Sequence, residues 1–176
     1  MAYGIVQADV IGTSVADEFN EHFAYCDGKL FWKKNTGSKP IAGKEAGCHK
    51  TKDYSMVCIN KKQHAIHRVI FAMHNGYMPK QVDHINGDRR DNRIENLRAT
   101  TNTQNSYNRL LSSTNTSGVK GVSWDKTKGK WHAQLNYNGK NRHMGYWKAD
   151  EKHLAKEFIE LAREMTHGVF ANHGAR

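Results

Sequence analysis

The chain has 176 residues, enough for one medium domain or two small ones, and with 38% hydrophobic residues and a mean hydropathy of −0.81 its core must be modest. Lys and Arg number 27 against 17 acidic residues, a formal charge of +10 and a pI near 9.6, so its field attracts polyanions, nucleic acid first among them. Cys26, Cys48 and Cys58 form no CxxC pair, which argues against a disulfide framework or a four-ligand zinc site and for reduced thiols in a cytoplasmic protein. No apolar run approaches the ~20 residues of a membrane span, and the start, MAYGIVQADVIG, lacks the basic segment and cleavage site of a signal peptide.

In chain order, SVADEFNEHF predicts a short helix after Ser14. FAYCDGKLFWKK alternates around Asp27-Gly28, a hairpin turn signal, and after the loop NTGSKPIAGKEAG the run YSMVCI leads to a second turn at residues 60–62. Together these predict a small N-terminal antiparallel sheet. IHRVIFAMHNG has helical spacing, with Ile66, Val69, Ile70 and Met73 in one stripe, Gly76 as the stop and Pro79 beyond it. Thr101-Asn102-Thr103-Gln104 has the form of a capping box and predicts a helix through about Leu111, with Asn105, Asn108 and Arg109 on one face. SSTNTSG, residues 112–118, reads as a linker. Beyond it VKGVSW, KWHAQLNY and NRHMGYW predict three short strands, the last two joined at Asn138-Gly139. Ala149–His167 predicts a helix capped by Asp150, buried along Leu154, Phe158, Leu161 and Met165 and ended by Gly168. The expected division is residues 1–111, a linker at 112–118, and a second domain at 119–176.

The segment VDHINGDRRDNRIENLR, residues 82–98, holds the chemistry. A carboxylate such as Asp83 is a hard oxygen ligand suited to magnesium or manganese, and a neutral imidazole such as His84 can take a proton from water near physiological pH. Cutting a phosphodiester needs both functions. The amide oxygen of Asn105, on a helix that begins close after the loop, can add a neutral ligand. Taken alone, Asn, Gly and Asp are also ordinary turn formers, and a self-bonded loop would use the same letters.

The stretch from His67 to about Asn108, within IHRVIFAMHNGYMPKQVDHINGDRRDNRIENLRATTNTQNSYNR, resembles the HNH endonuclease family, in particular its phage homing branch. The resemblance implies a ββα-metal unit: a two-stranded hairpin with its loop, followed by a helix. It assigns His84 as general base, Asp83 and Asn105 as ligands of one divalent cation (Mg²⁺ or Mn²⁺), and Asn96 as the group that fixes the loop around His84. Where the family often has a second histidine, this chain has Asn105. Arg68 is matched as a phosphate contact, and His67 is expected to pack or cap locally. Arg109, on the face shared with Asn105, is a further candidate for DNA.

SGVKGVSWDKTKGKWHAQLNYNGKNRHMGYWKADEKHLAKEFIELA resembles the ethylene-response-factor type of DNA-binding domain, which lays a three-stranded sheet in the major groove and backs it with a helix. Alternation agrees: Trp131, Ala133 and Leu135 fall on one strand face, His132, Gln134 and Asn136 on the other. By motif position Lys120, Trp124, Gln134, Asn136 and Asn141 or His143 are the candidate DNA contacts, with Arg142, Lys130 and Lys140 for phosphates. The expected fold is α+β: an N-terminal antiparallel sheet, the ββα-metal unit, then a three-stranded antiparallel sheet on one C-terminal helix. The expected function is metal-dependent endonuclease action on double-stranded DNA, as a phage homing enzyme that works as a monomer or weak dimer in the host cytoplasm. The alternatives are a sequence-specific DNA-binding regulator on an inactive HNH scaffold, or an RNA-binding or structural phage protein.

Overall fold

The computed structural model describes residues 14–36, 41–47 and 54–174; residues 1–13, Cys48 and part of the glycine- and lysine-rich loop lie outside them. The architecture is mixed α+β, and the chain divides into two compact units at Thr101/Asn102. Among the described residues no helix is long and apolar enough to cross a membrane.

The first unit opens with helix α1 (Ser14–His22) and the hairpin β1 (Phe23–Cys26) and β2 (Lys29–Trp32). Asp27 and Gly28 both have positive φ, 45° and 78°, the turn whose twist matches two antiparallel strands. A second hairpin pairs β3 (Met56–Ile59) with β4 (Lys62–Ala65) through Asn60 and Lys61, again both at positive φ. The two hairpins stand as separate two-stranded sheets, not the single sheet that their proximity in sequence suggests. Helix α2 (Ile66–Asn75) follows at once, and Gly76 ends it in the left-handed conformation with its amide on the Ala72 carbonyl at 2.9 Å. Ile66, Val69 and Ile70 are buried as the spacing predicts, together with Phe19, Phe23, Leu30, Val57 and Ile59. Packed against this core is the hairpin β5 (Gln81–His84) and β6 (Leu97–Thr100), antiparallel, whose connection ends in a 3₁₀ turn at Ile94–Asn96.

The second unit begins with helix α3 (Asn102–Tyr107), which stops short of Leu111. The cause lies in Lys120, whose Nζ donates to the carbonyls of Tyr107 and Arg109 and so takes acceptors at the helix end. The predicted linker is ordered by its own side chains. Ser117 is buried and its Oγ donates to the Val122 carbonyl at 2.6 Å, while Asn115 Oδ1 accepts from the Gly118 amide. Strands β7 (Val122–Asp125), β8 (Lys130–Tyr137) and β9 (Lys140–Trp147) form an antiparallel sheet in that order. A 3₁₀ turn at Ala149–Glu151 leads into helix α4 (Lys152–His167). Here Glu151 Oε2 accepts the Lys148 amide at 2.9 Å, a capping contact that the sequence reading gave to Asp150.

The buried face of α4 differs from the predicted stripe. Leu154, Phe158, Leu161 and Met165 are 42, 44, 57 and 80% exposed, whereas Ala155, Ile159, Arg163 and His167 are buried. A one-residue offset turns a helix by about 100°. The small Ala155 and Ala162 let the helix approach Ala133 and Leu135 closely, with Trp131 and Trp147 filling the flanks. Arg163 donates to the Lys120 carbonyl at 2.8 Å, and His167 Nε2 meets the Asn136 carbonyl at 2.8 Å, while His167 Nδ1 is buried with no hydrogen-bond partner among the described residues.

Candidate functional site

Strand β5 brings Asp83 and His84 side by side, 8 and 4% exposed. Asp83 lies opposite Arg98 in the ladder, so the two side chains share a face, and Arg98 Nη2 and Nε reach Asp83 Oδ2 at 2.9 and 3.2 Å. His84 lies opposite Leu97, and its Nε2 is 3.0 Å from Oδ1 of Asn92, a buried loop residue. From α2, the His67 ring sits 5.0 Å from that of His84, and Tyr54 packs 5.0 Å from His67, with Arg89 over the Tyr54 ring at 5.3 Å. Burial, reinforced by His84 and Arg68, pushes the His67 pKa down to about 3. His67 is therefore a neutral packing group at physiological pH.

The loop between β5 and β6 is tied by its own amides. Asn96 Oδ1 accepts from the Asn86 amide at 2.9 Å, and its Nδ2 donates to Asn86 Oδ1 and to the Asp91 carbonyl at 3.0 and 2.8 Å. The first hairpin buttresses the far side, where the Tyr25 hydroxyl takes the Ile94 amide at 3.1 Å. A Cβ on Gly28 would come within 2.9 Å of the Arg93 nitrogen, so the close approach of that turn to the loop needs glycine.

Asp83 and His84 thus end the first strand of the hairpin, and Asn96 closes the loop just before the second. Asn105 is half-buried on α3 of the second unit. Arg68 Nη1 and Nη2 donate to the Lys80 and Pro79 carbonyls at 2.7 and 2.9 Å, which staples α2 to the chain entering β5. Lys120 is bonded within the second unit. Its Nζ serves the carbonyls of Tyr107, Arg109 and Asn172, and burial beside Arg163 and Arg109 brings its pKa down to about 8. Arg109 is exposed. Among the described residues no group of three or more His, Cys, Asp or Glu side chains is placed to hold a metal ion. Sequence reasoning did not single out Asn92 or Arg98, since both sit among loop-forming and basic neighbours of the same type.

In the second unit the outer face of the sheet presents His132, Gln134 and Asn136 on β8, and Asn141, His143 and Tyr146 opposite them on β9. His132 Nε2 lies 2.9 Å from His143 Nδ1 with the rings stacked, and Asn136 donates to Asn141 Oδ1 at 3.1 Å. Trp124 is not on this face. It pairs in register with Trp131, and its ring meets that of Trp131 at 5.0 Å, edge to face, on the side of the sheet that carries α4. Arg142, opposite Leu135, has that same parity at the exposed edge of β9.

The HNH endonuclease family matches residues 64–107, a stretch that includes α2, the β5–β6 hairpin with its Asp83-His84 pair, and the asparagine-tied loop. The chain carries an HNH endonuclease domain over those residues and belongs to the same family as the phage protein that it matches. It is 31% identical to Protein 3.8 of Escherichia phage T7 over 107 residues, 60% of this chain and 86% of that protein. No solved structure matches it.

Proposed function

We propose that the protein is a metal-dependent endonuclease that hydrolyses phosphodiester bonds in double-stranded DNA, of the phage homing type. The observation that carries this reading is the buried Asp83–His84 pair, with each side chain held by a named partner, Arg98 on the carboxylate and Asn92 on the imidazole. Neutral His84 takes the proton from a water that attacks the scissile phosphate. The oxygen donors available, the Asp83 carboxylate and the Asn105 amide, suit a hard divalent cation, Mg²⁺ or Mn²⁺. Such a cation, held by the Asp83 carboxylate, would neutralise charge on the phosphate and on the leaving oxygen. Asn96 keeps the loop closed around His84 through its bonds to Asn86 and Asp91.

Residues 119–176 act as a DNA reader of the ethylene-response-factor type. The outer sheet face supports this, because Gln134, Asn136, Asn141 and His143 end in hydrogen-bonding groups of the kind that read base edges, and Gln and Asn favour adenine. Arg109 and Arg142 are exposed and available to phosphates. A monomer with one such site nicks a single strand, and a double-strand break takes a dimer or two successive events. The host cytoplasm, where the DNA is, is the place of action.

The test is incubation of the purified chain with the genome of a related phage and Mg²⁺ or Mn²⁺, followed by mapping of the ends. Nicks at discrete positions support the proposal. Tight binding to duplex DNA with every strand intact points instead to a regulator on an inactive scaffold. Preference for RNA over duplex DNA contradicts the reader, since a sheet cannot enter the narrow major groove of A-form RNA.

A further inference from the structure

On the outer face of the second unit's sheet, Nε2 of His132 and Nδ1 of His143 lie 2.9 Å apart, with the ring planes within 17°. Two imidazole nitrogens at that separation share one proton, one donating and the other accepting. A neutral imidazole carries a single N–H, so the shared bond also settles the two outward nitrogens. If His132 Nε2 donates, its Nδ1 is bare and His143 has its proton on Nε2; if His143 Nδ1 donates, both assignments reverse. Either way the neutral pair turns one donor and one acceptor outward. One added proton leaves the shared bond in place and makes both outward nitrogens donors. Only a second proton breaks the bond, by setting two N–H groups against each other.

We propose that His132 and His143 act as one coupled specificity determinant, whose protonation turns a mixed donor and acceptor pattern into two donors and shifts the preferred base from adenine towards guanine. This rests on the reading of residues 119–176 as a DNA reader. In the major groove an adenine edge offers an acceptor and a donor, whereas a guanine edge offers acceptors alone. The β8–β9 register pairs His132 with Tyr146 and Gln134 with His143, so these side chains share the outer face. His143 is exposed and His132 half-buried, and among the described residues neither ring makes another hydrogen bond. Three ionisable groups surround the pair. The Tyr146 ring lies 5.1 Å from His132 and 4.8 Å from His143, Lys128 Nζ donates to the Tyr146 hydroxyl at 2.7 Å, and Asp125 ends β7. Burial first, then His143 and Lys128, with Asp125 opposing, hold the His132 pKa below its ordinary value, so the neutral form prevails at physiological pH.

The experiment joins two measurements on the full chain at about pH 8 and about pH 6, either side of the ordinary histidine value. The first is a long-range ¹H–¹⁵N spectrum of the ring nitrogens without DNA. In the parent the two rings should titrate together, and in His143→Gln the His132 ring should titrate alone. The second is selection of duplex DNA from a random pool, followed by affinity measurements on matched duplexes with adenine or guanine at the selected positions. The ratio of the two affinities should move about tenfold towards guanine between the higher and the lower pH. The double variant His132→Gln, His143→Gln keeps hydrogen-bonding groups that do not titrate, on the outer face of the sheet, and its preference should be the same at both pH values. Rings that titrate independently in the free parent overturn the inference. So does a parent that binds duplex DNA with one base preference at both pH values, or a double variant whose preference still shifts, and either result leaves the DNA-reader reading standing. A parent whose rings are coupled as stated but which binds no duplex DNA overturns the reader reading, and the specificity role falls with it.

Discussion

Replacing His67 with phenylalanine makes the stability of the protein less sensitive to acid. The imidazole is buried between Tyr54 and His84, and its pKa falls from 6.5 to about 3 in the folded chain. Its folded value is depressed and the neutral form is the native one, so the unfolded chain binds the proton first as pH falls. The contribution to stability is complete above pH 6.5 and is lost progressively as pH drops from there towards about 3. At pH 5 the unfolded ring is almost fully protonated while the folded ring stays neutral, which costs about 2 kcal/mol relative to pH 7, rising to about 4 kcal/mol near pH 3. Phenylalanine keeps a ring between the same neighbours and cannot titrate. The assay is urea unfolding of parent and variant at pH 7 and pH 5, followed by tryptophan fluorescence. The difference in unfolding free energy between the two proteins should move by about 2 kcal/mol in favour of the variant between those pH values. Parallel losses in the two proteins would show that His67 accepts a proton in the folded state, and the reasoning would be refuted.

Arg98→Met leaves the Asp83 carboxylate, 9% exposed, without the guanidinium at 2.9 Å, and should cost about 3 kcal/mol by thermal or urea unfolding. On α4, Ile159→Ala should cost about 3 kcal/mol, whereas Leu161→Ala, at a position 57% exposed, should change stability by about 0.5 kcal/mol or less; equal effects would restore the stripe read from the sequence. Gly121→Ala places a Cβ 2.6 Å from the Gln134 carbonyl oxygen at φ +78°, and should cost about 2 kcal/mol on the same assay.

The legible parts of the fold were those written in local chemistry. Asp27-Gly28 and Asn138-Gly139 are turns because those residues accept positive φ at little cost, and both are found there. The α2 stripe was legible because Ile66, Val69 and Ile70 are apolar and buried alike. Helix α4 was not, because two apolar faces compete in its sequence and the larger side chains lost. The sheet offered Ala133 and Leu135 between two tryptophans, a shallow surface that alanines fit and leucines do not. The burial of Arg163 depends on the Lys120 carbonyl, a contact 43 residues away in sequence that no local pattern displays. The bonds of Lys120 are hidden in the same way: its three carbonyl partners come from Tyr107, Arg109 and Asn172. At the candidate site the Asp-His pair was visible as a motif, but its partners were not. Asn92 and Arg98 gain their roles from strand register and loop closure, which bring them to His84 and Asp83 from 8 and 15 residues away.

The central claim is that His84 is the base of a phosphodiester hydrolysis, and one comparison tests it most directly. Supercoiled duplex DNA is incubated with the parent chain and with His84→Ala in Mg²⁺ or Mn²⁺, and nicking rate and DNA affinity are measured on the same samples. The account predicts nicking by the parent, a loss of about 10²- to 10⁴-fold in the variant, and unchanged binding. A His84→Ala protein that binds and cuts as well as the parent would contradict it.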